Sequence, residues 1–405
     1  MGKIWAKLRT SLNWSEPWKF AKKTTIQTIT ERVNINDSHG RILAVDLPSK
    51  VNDPPFDNSA MDGFAMRYED TLEPHSTLQI IGTIQASGQE DNIVVEKDQA
   101  VRIMTGAPIP KGADSILQVE LTSVDGDKVT LSQPSMKHFI RKKGENLSEG
   151  ETALSAGTHL TPSRVGLCAT MGYSSIPVIK KLKVAIISTG DELKQPGEEL
   201  ERGEIYESNS FGISGLVKWL GHEPVRMHSV GDTIDDLRKT LNHASTHTDL
   251  IITSGGVSMG DWDLVRKIME EEGDLHFWRV KLRPGSPPLF GLWNNTPIFG
   301  LPGNPVSSHV VFRMLVAPWI RHTTHANGPI EPRSLATLAT NVKPTKDCLT
   351  LRRVSIQMDD SGLSAHQKIH QGSGNLASMA LSEGMVVLQP GREYSIGDTV
   401  EVMFL

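Results

Sequence analysis

Cysteine is nearly absent from this chain: Cys168 and Cys348 are the only two in 405 residues. They stand far apart in apolar surroundings. That excludes a disulfide scaffold or a thiolate zinc site and fits a reducing compartment, the cytoplasm. Long apolar runs are missing too. The best candidate, "VVFRMLVAPWI", is broken by Arg313, so no transmembrane segment is expected. Nor is there an excess of one charge. With 42 basic and 47 acidic residues the net charge is -5, which argues against a nucleic-acid surface. Aromatic residues are few, yet three of the eight tryptophans fall in the first 18 positions. The first 24 residues also carry six Lys/Arg against one Glu. They lack the apolar core of a signal peptide, and Ala6 stands where myristoylation requires Ser or Thr. Residues 1–24 read as a basic leader, mobile or locally packed, with membrane-surface or partner docking as the alternative.

What is present is a change of period along the chain. Residues 51–143 are β-rich, with short alternating stretches such as "STLQIIGTI", "AVRIM" and "KVTLSQ" between Gly, Asp and Pro turns. Residues 25–50 and 144–182 flank this unit as a connecting domain, with a helix starting after Thr161-Pro162. From 183 to 330, buried-strand runs alternate with amphipathic helices, as in a parallel sheet covered on both faces. Thr233 is the expected cap of the helix "TIDDLRKTLNHA", with Asp236 at its third position. Residues 331–405 lose the helical period and suggest a small β domain.

In open α/β sheets ligands bind beyond the carboxyl ends of the strands. Three of those ends carry acids after a glycine turn: Asp191 with Glu192, Asp232, and Asp261 with Asp263. A fourth is the Gly/Pro turn "GLPGNPVSS". Any one acid is explained by helix capping, and Asp261 is explained most fully; Asp263 falls in the first turn, where the helix dipole favours an acid. Three together, beside glycine turns that admit anions, point to a phosphate-ester or pyrophosphate site with a magnesium ion between the charges. "GGVSMGDWD" also spells the G-x-S-x-G elbow of serine hydrolases at Ser258. The crowded acids oppose an oxyanion there, so the hydrolase reading is the weaker one. Lys281 and Arg283, before a Pro-Gly turn, are candidate oxyanion ligands.

The ordered series "PPFDNSAMDGFAM", "RIMTGAPIPKGADSILQVE", "RKKGENL", "STGDEL", "SGGVSMGDWD", "RPGSP", "GLPGNPVS" and "HQGSGN" closely resembles the molybdopterin molybdenumtransferase (MoeA) family, which includes the gephyrin E-domain. The likeness spans roughly residues 25–405. It implies a multidomain α/β plus β fold: a parallel α/β (MogA/MoaB-like) domain, an inserted β-rich domain, a connecting segment and a C-terminal β-barrel-like domain. It implies a homodimer with the active site across the interface. The implied reaction inserts molybdate into adenylylated molybdopterin, with metal-dependent release of AMP; a molybdopterin adenylyltransferase and molybdoenzymes are the implied partners.

By motif, the resemblance assigns catalysis to Asp62, Glu192, Asp232 and Asp263, with Asp232 and Asp263 holding Mg2+. Asp62 comes from the partner subunit, and Thr105 lies in the interface motif. Ser258, Gly255, Gly256, Gly303 and Asn304 line the phosphate and nucleotide site, and Arg283, Ser286, Ser307, Arg353 and Ser373 the molybdate site. Relatives carry lysines where this chain has Arg283 and Ser286. The alternatives are therefore a cofactor-binding scaffold, or a paralogue with reduced activity or a tungstate preference. On the transferase reading a fluorophosphonate probe leaves Ser258 unlabelled; stoichiometric labelling, mapped by peptide mass spectrometry, would restore the hydrolase reading.

Overall fold

The structure is a computed structural model that describes residues 12–13, 16–86, 92–227, 231, 233–257, 263–368 and 370–405. Its centre is a six-stranded sheet. Alternation along Lys183–Ser188 (β1) sends Val184 and Ile186 to one face and Ala185 and Ile187 to the other. Asn209–Trp219 (α1) covers the first face, through Ile213, Leu216 and Val217. Glu223–Arg226 (β2) follows, then Ile234–His247 (α2), which covers the second face with Leu237, Leu241 and Ala244. Thr233 caps α2 as expected, its Oγ1 accepting from the Asp236 amide. Leu250–Ser254 (β3) and Leu264–Glu271 (α3) come next, then Asp274–Trp278 (β4), Leu289–Trp293 (β5), Thr296–Leu301 (β6) and Pro305–Val311 (α4). Each buried strand is apolar on both faces because helices lie on both.

The strand order is β2-β1-β3-β6-β5-β4. β2, β1, β3 and β6 are parallel, whereas β5 runs antiparallel to both its neighbours, β6 and β4. The parallel sheet expected from the sequence thus carries one reversed strand near its edge. Asn294 and Asn295 adopt φ of 47° and 66°, the left-handed pair that closes a tight two-residue hairpin between β5 and β6. Because the chain leaves β1 toward β2 and later returns to β3 on its other side, the β1–β3 junction is a topological switch point.

Two further sheets flank this unit. Six short strands between Gly63 and Leu131 form the first, with Phe64 and Met66 packed on one face and Ala65 on the other. Five strands, Arg333–Leu338, Leu349–Asp359, Gly362–His366, Gly384–Leu388 and Thr399–Phe404, close into a barrel when the second pairs with the fourth. The pair Leu282–Arg283 adds to the barrel edge in parallel with Leu349 and Thr350, so one stretch of chain joins the barrel to the α/β unit. Thr30–Asn34 pairs with Ser175–Ile179 in the connecting region. The described part of the leader packs against the α/β unit. Leu12 bridges to Val280, Pro17–Ala21 forms a short helix, and Trp319 Nε1 donates to the carbonyls of Ala21 and Thr24 at 3.0 Å each. No helix among the described residues is long and apolar enough to cross a membrane.

Two histidines inside this packing set a pH dependence. His222 is buried beside Leu182, whose amide donates to its Nδ1, and burial with Arg41 and Lys181 nearby lowers its pKa to about 4. Burial, then the charge of Arg313, lowers His309 on α4 to about 4 as well. Both rings stay neutral in the folded chain but protonate near pH 6.5 once unfolded, so the unfolded state gains protons first and stability falls as pH drops from 6.5 toward 4. The expected loss between pH 7.5 and 5 is on the order of 2 kcal/mol per ring. Urea unfolding of His222→Asn/His309→Asn should show a shallower acid slope than the unsubstituted chain; equal slopes contradict the assignment.

Candidate active site

The cleft opens at the β1–β3 switch point, where loops following β1, β3 and β6 meet the barrel, and its volume is about 950 Å³. Backbone geometry builds its floor. Gly255 follows β3 with φ of +102°, and a Cβ there would sit 2.7 Å from Thr189 Oγ1, so only glycine lets the two loops close. Its amide donates to Leu301 O at 3.0 Å, tying β3's exit to β6. Trp278 Nε1 donates to Val257 O at 2.9 Å and holds the far side of the same turn.

One side chain then couples two of these loops. Asn209 opens α1, and its Nδ2 donates to Ser254 Oγ and to Gly303 O, both at 2.7 Å. The turn of Pro302, Gly303 and Asn304 is stapled in turn to the barrel: Asn304 Nδ2 donates to Ser373 Oγ at 3.0 Å, and the Val306 amide to Ser373 O at 3.1 Å. The turn at Arg283 packs on α4, since a Cβ on Gly285 (φ +110°) would lie 2.7 Å from Val311 Cγ2. Ser286 is buried, and its hydroxyl donates to Leu282 O at 3.1 Å.

Three carboxylates and two guanidiniums are the charged groups lining the cleft among the described residues: Glu192, Glu207, Asp263, Arg283 and Arg352. Glu207 is 3% exposed and fully engaged. Its Oε1 accepts from Ser188 Oγ at 3.0 Å and the Ser210 amide at 2.7 Å; Oε2 accepts from Ser210 Oγ at 2.5 Å and faces Arg226 at 3.7 Å. Glu192 folds back over the Gly190 backbone, where a Cβ would meet its carboxylate at 2.5 Å. Asp263 is the N-cap residue of α3 rather than a first-turn residue, and its side chain makes no capping hydrogen bond. Capping therefore does not account for its carboxylate on the cleft wall. Glu192 and Asp263 are the hard oxygen donors that suit a magnesium ion, which takes one or two carboxylates and completes its shell with water and phosphate oxygens. Among the described residues no three His, Cys, Asp or Glu converge into a self-contained metal cage.

Of the residues singled out from the sequence, the cleft gathers Glu192, Gly255, Gly256, Asp263, Arg283, Ser286, Gly303, Asn304, Ser307 and Ser373. Asp232, Ser258 and Asp261 lie outside the described residues. Asp62 and Thr105 sit elsewhere, exposed on the β-rich sheet: Asp62 Oδ1 accepts from the Thr105 amide at 2.6 Å and its hydroxyl at 2.8 Å. Those two bonds, the amide foremost, hold the Asp62 carboxyl below the usual range. Lys281 does not line the cleft. Arg353 does not line it either. It is 1% exposed and braces the loop bearing Ser373, its Nη2 donating to the carbonyls of His370 (3.3 Å) and Gly372 (3.1 Å), while its backbone exchanges two bonds with the Gln371 amide group.

The reason is strand parity. Leu282, Leu349 and Leu351 face the large core, and Arg353 continues that side; Arg283 pairs with Thr350, and Arg352 continues the other. Sequence reasoning missed Arg352, Asn209 and Glu207. Alternation through "LTLRRVSI" was the available signal for the first, and the polar run "YESNS" ahead of a helix for the other two.

Comparison with known proteins completes the picture. Residues 12–172 match the family description "MoeA N-terminal region (domain I and II)", residues 185–322 "Probable molybdopterin binding domain", and residues 336–405 "MoeA C-terminal region (domain IV)". A protein of Haemophilus influenzae named Molybdopterin molybdenumtransferase is 35% identical over 95% of this chain and 96% of its own length. A Bacillus subtilis protein of the same name is 34% identical over 93% and 90%. Among solved structures, a molybdopterin biosynthesis MoeA protein from Pyrococcus horikoshii superposes with a TM-score of 0.83 at 27% identity, covering 98% of this chain and all of the other. From its first described strand to the closing barrel, the chain belongs to the MoeA family.

Proposed function

We propose that this protein inserts molybdate into adenylylated molybdopterin, with hydrolysis of the pyrophosphate link, releasing AMP and molybdenum cofactor. The observation that carries this reading is one cleft at a topological switch point that is lined by glycine turns, carboxylates and two guanidiniums. The name shared by relatives at 34–35% identity over nearly the whole chain supports the reaction class.

In this mechanism the Gly255-Gly256 turn gives the pyrophosphate close backbone approach. Asp232 and Asp263, with Glu192 in support, would hold a divalent cation, magnesium, which would supply charge neutralisation at the phosphates. Asp263 also orients the attacking water. Ser258 donates to a phosphate oxygen. Arg283, Ser286, Ser307 and Ser373 receive the oxyanion, and Arg353 keeps the Ser373 loop in place. The active protein is a homodimer. Asp62 and Thr105 are exposed and not part of their own chain's cleft lining, which suits a role at the partner's site. We assign units 25–50 with 144–182, 51–143, 183–330 and 331–405 to this assembly. Two free cysteines, Cys168 and Cys348, support a reducing compartment, the cytoplasm, as its location.

Purified protein given adenylylated molybdopterin, magnesium and molybdate should release AMP, followed by liquid chromatography. Retained pterin binding without AMP above background would instead mark a cofactor-binding scaffold. Asp263→Asn should lower turnover by about 100-fold or more with an unchanged circular dichroism spectrum; unaltered turnover would remove Asp263 from the mechanism. A heterodimer co-purified from Asp62→Ala and Asp263→Asn chains should regain about half of normal activity, because a two-fold interface restores one intact site of two. No recovery would place both residues in one subunit's site.

A further inference from the structure

We infer that His243 and His247, at the end of α2, form a two-nitrogen surface site for a late first-row divalent cation of the zinc, nickel or copper class. This site is separate from the cleft. α2 ends at His247, and Thr248 and Asp249 lead straight into β3, whereas the cleft follows the other end of that strand. The pair therefore stands at the opposite edge of the sheet. Both residues are exposed, so an ion reaches them without displacing any packing. Ala244 occupies the position where an H-E-x-x-H helix carries its glutamate. The pair thus lacks a general base and is a binding site rather than a hydrolytic one.

Helical spacing of four residues puts the two Cβ atoms about 5–6 Å apart on one face. The imidazoles stack there, with centroids 4.2 Å apart and planes inclined by 29°. An ion bonded to two ring nitrogens at about 2.0–2.1 Å holds them roughly 3 Å apart, so a small ring rotation closes the chelate. The tautomer of His247 is already set. Its Nδ1 lies 2.8 Å from His243 O and 2.7 Å from Thr246 Oγ1. A carbonyl only accepts, so Nδ1 carries the proton; the Thr246 hydroxyl gives its own proton to His243 O at 2.9 Å. Nε2 of His247 is left with its lone pair. Metal-binding histidines are ordinarily fixed in this way, with a backbone carbonyl on one nitrogen and the ion on the other. The last-turn carbonyls of α2 add a negative potential that favours a cation. Lys239, one turn earlier, is paired with Asp236 at 3.2 Å. Imidazole nitrogens suit zinc, nickel and copper, whereas magnesium prefers oxygen, so the site selects a different ion from the one the cleft acids suit.

The test titrates Ni2+ into the full chain by isothermal calorimetry, with saturating Mg2+ present throughout. The unsubstituted protein should bind one nickel ion that the variant carrying both His243→Asn and His247→Asn does not. Each single substitution should weaken that binding by at least about 10-fold, because the chelate needs both rings. Cu2+ should bind the same pair more tightly than Ni2+. Nickel should also raise the Tm of the unsubstituted chain more than that of the double variant. Since both side chains are exposed, the variants should keep an unchanged circular dichroism spectrum. Equal nickel affinity in the unsubstituted chain and the double variant overturns the site. A loss confined to one of the two single variants shows capture by one histidine and overturns the pair.

Discussion

Asn209 Nδ2 reaches Ser254 Oγ and Gly303 O at once, and no strand pairing does the same work beyond the sheet. β3 and β6 pair as far as Ser254 and Leu301, with one further bond from the Gly255 amide to Leu301 O, after which both chains leave as loops. The single amide holds those loops at a fixed separation, and the Ser373 contacts of Asn304 and Val306 then fasten them to the barrel. Each joint is short and directional, so the cleft inherits the rigidity of the sheet below it. A site for a reaction at a phosphate needs this, because displacements of an ångström cost orders of magnitude in rate.

Charge is arranged as deliberately as backbone. Glu207 is consumed by Ser188, Ser210 and Arg226, and serves as structure at the start of α1. Glu192 and Asp263 line the α/β side of the cleft, and Arg283 and Arg352 line it beside the barrel. The acids stand at the strand ends of the α/β unit; Arg283 comes from the stretch that joins it to the barrel and Arg352 from the barrel strand paired with that stretch. Opposite ends of one bound molecule would meet opposite charges, so the cleft has a polarity as well as a shape.

Much of this was legible in the sequence. The strand–helix alternation after residue 183 gave the doubly covered sheet, and the glycine turns marked its ligand-binding end. The antiparallel edge was not legible as such, because "WNNT" between two apolar runs reads equally well as a loop into a further crossover. Strand parity decided the two arginines: motif resemblance selects Arg353, whereas pairing with Leu282 and Arg283 turns Arg352 toward the cleft. Asn209 and Glu207 escaped because a polar residue ahead of a helix has a sufficient local explanation in capping. Their long-range partners become visible only when β1, β3 and β6 are assembled.

The central claim is that one cleft, between strand-end acids and barrel-side arginines, receives the metal oxyanion. The most direct test is a crystal grown with tungstate and examined by anomalous scattering at the tungsten edge. The account predicts a peak within hydrogen-bonding distance of Arg283, Arg352 and Ser373. A fully occupied peak elsewhere on the molecule, with this cleft empty, would contradict it.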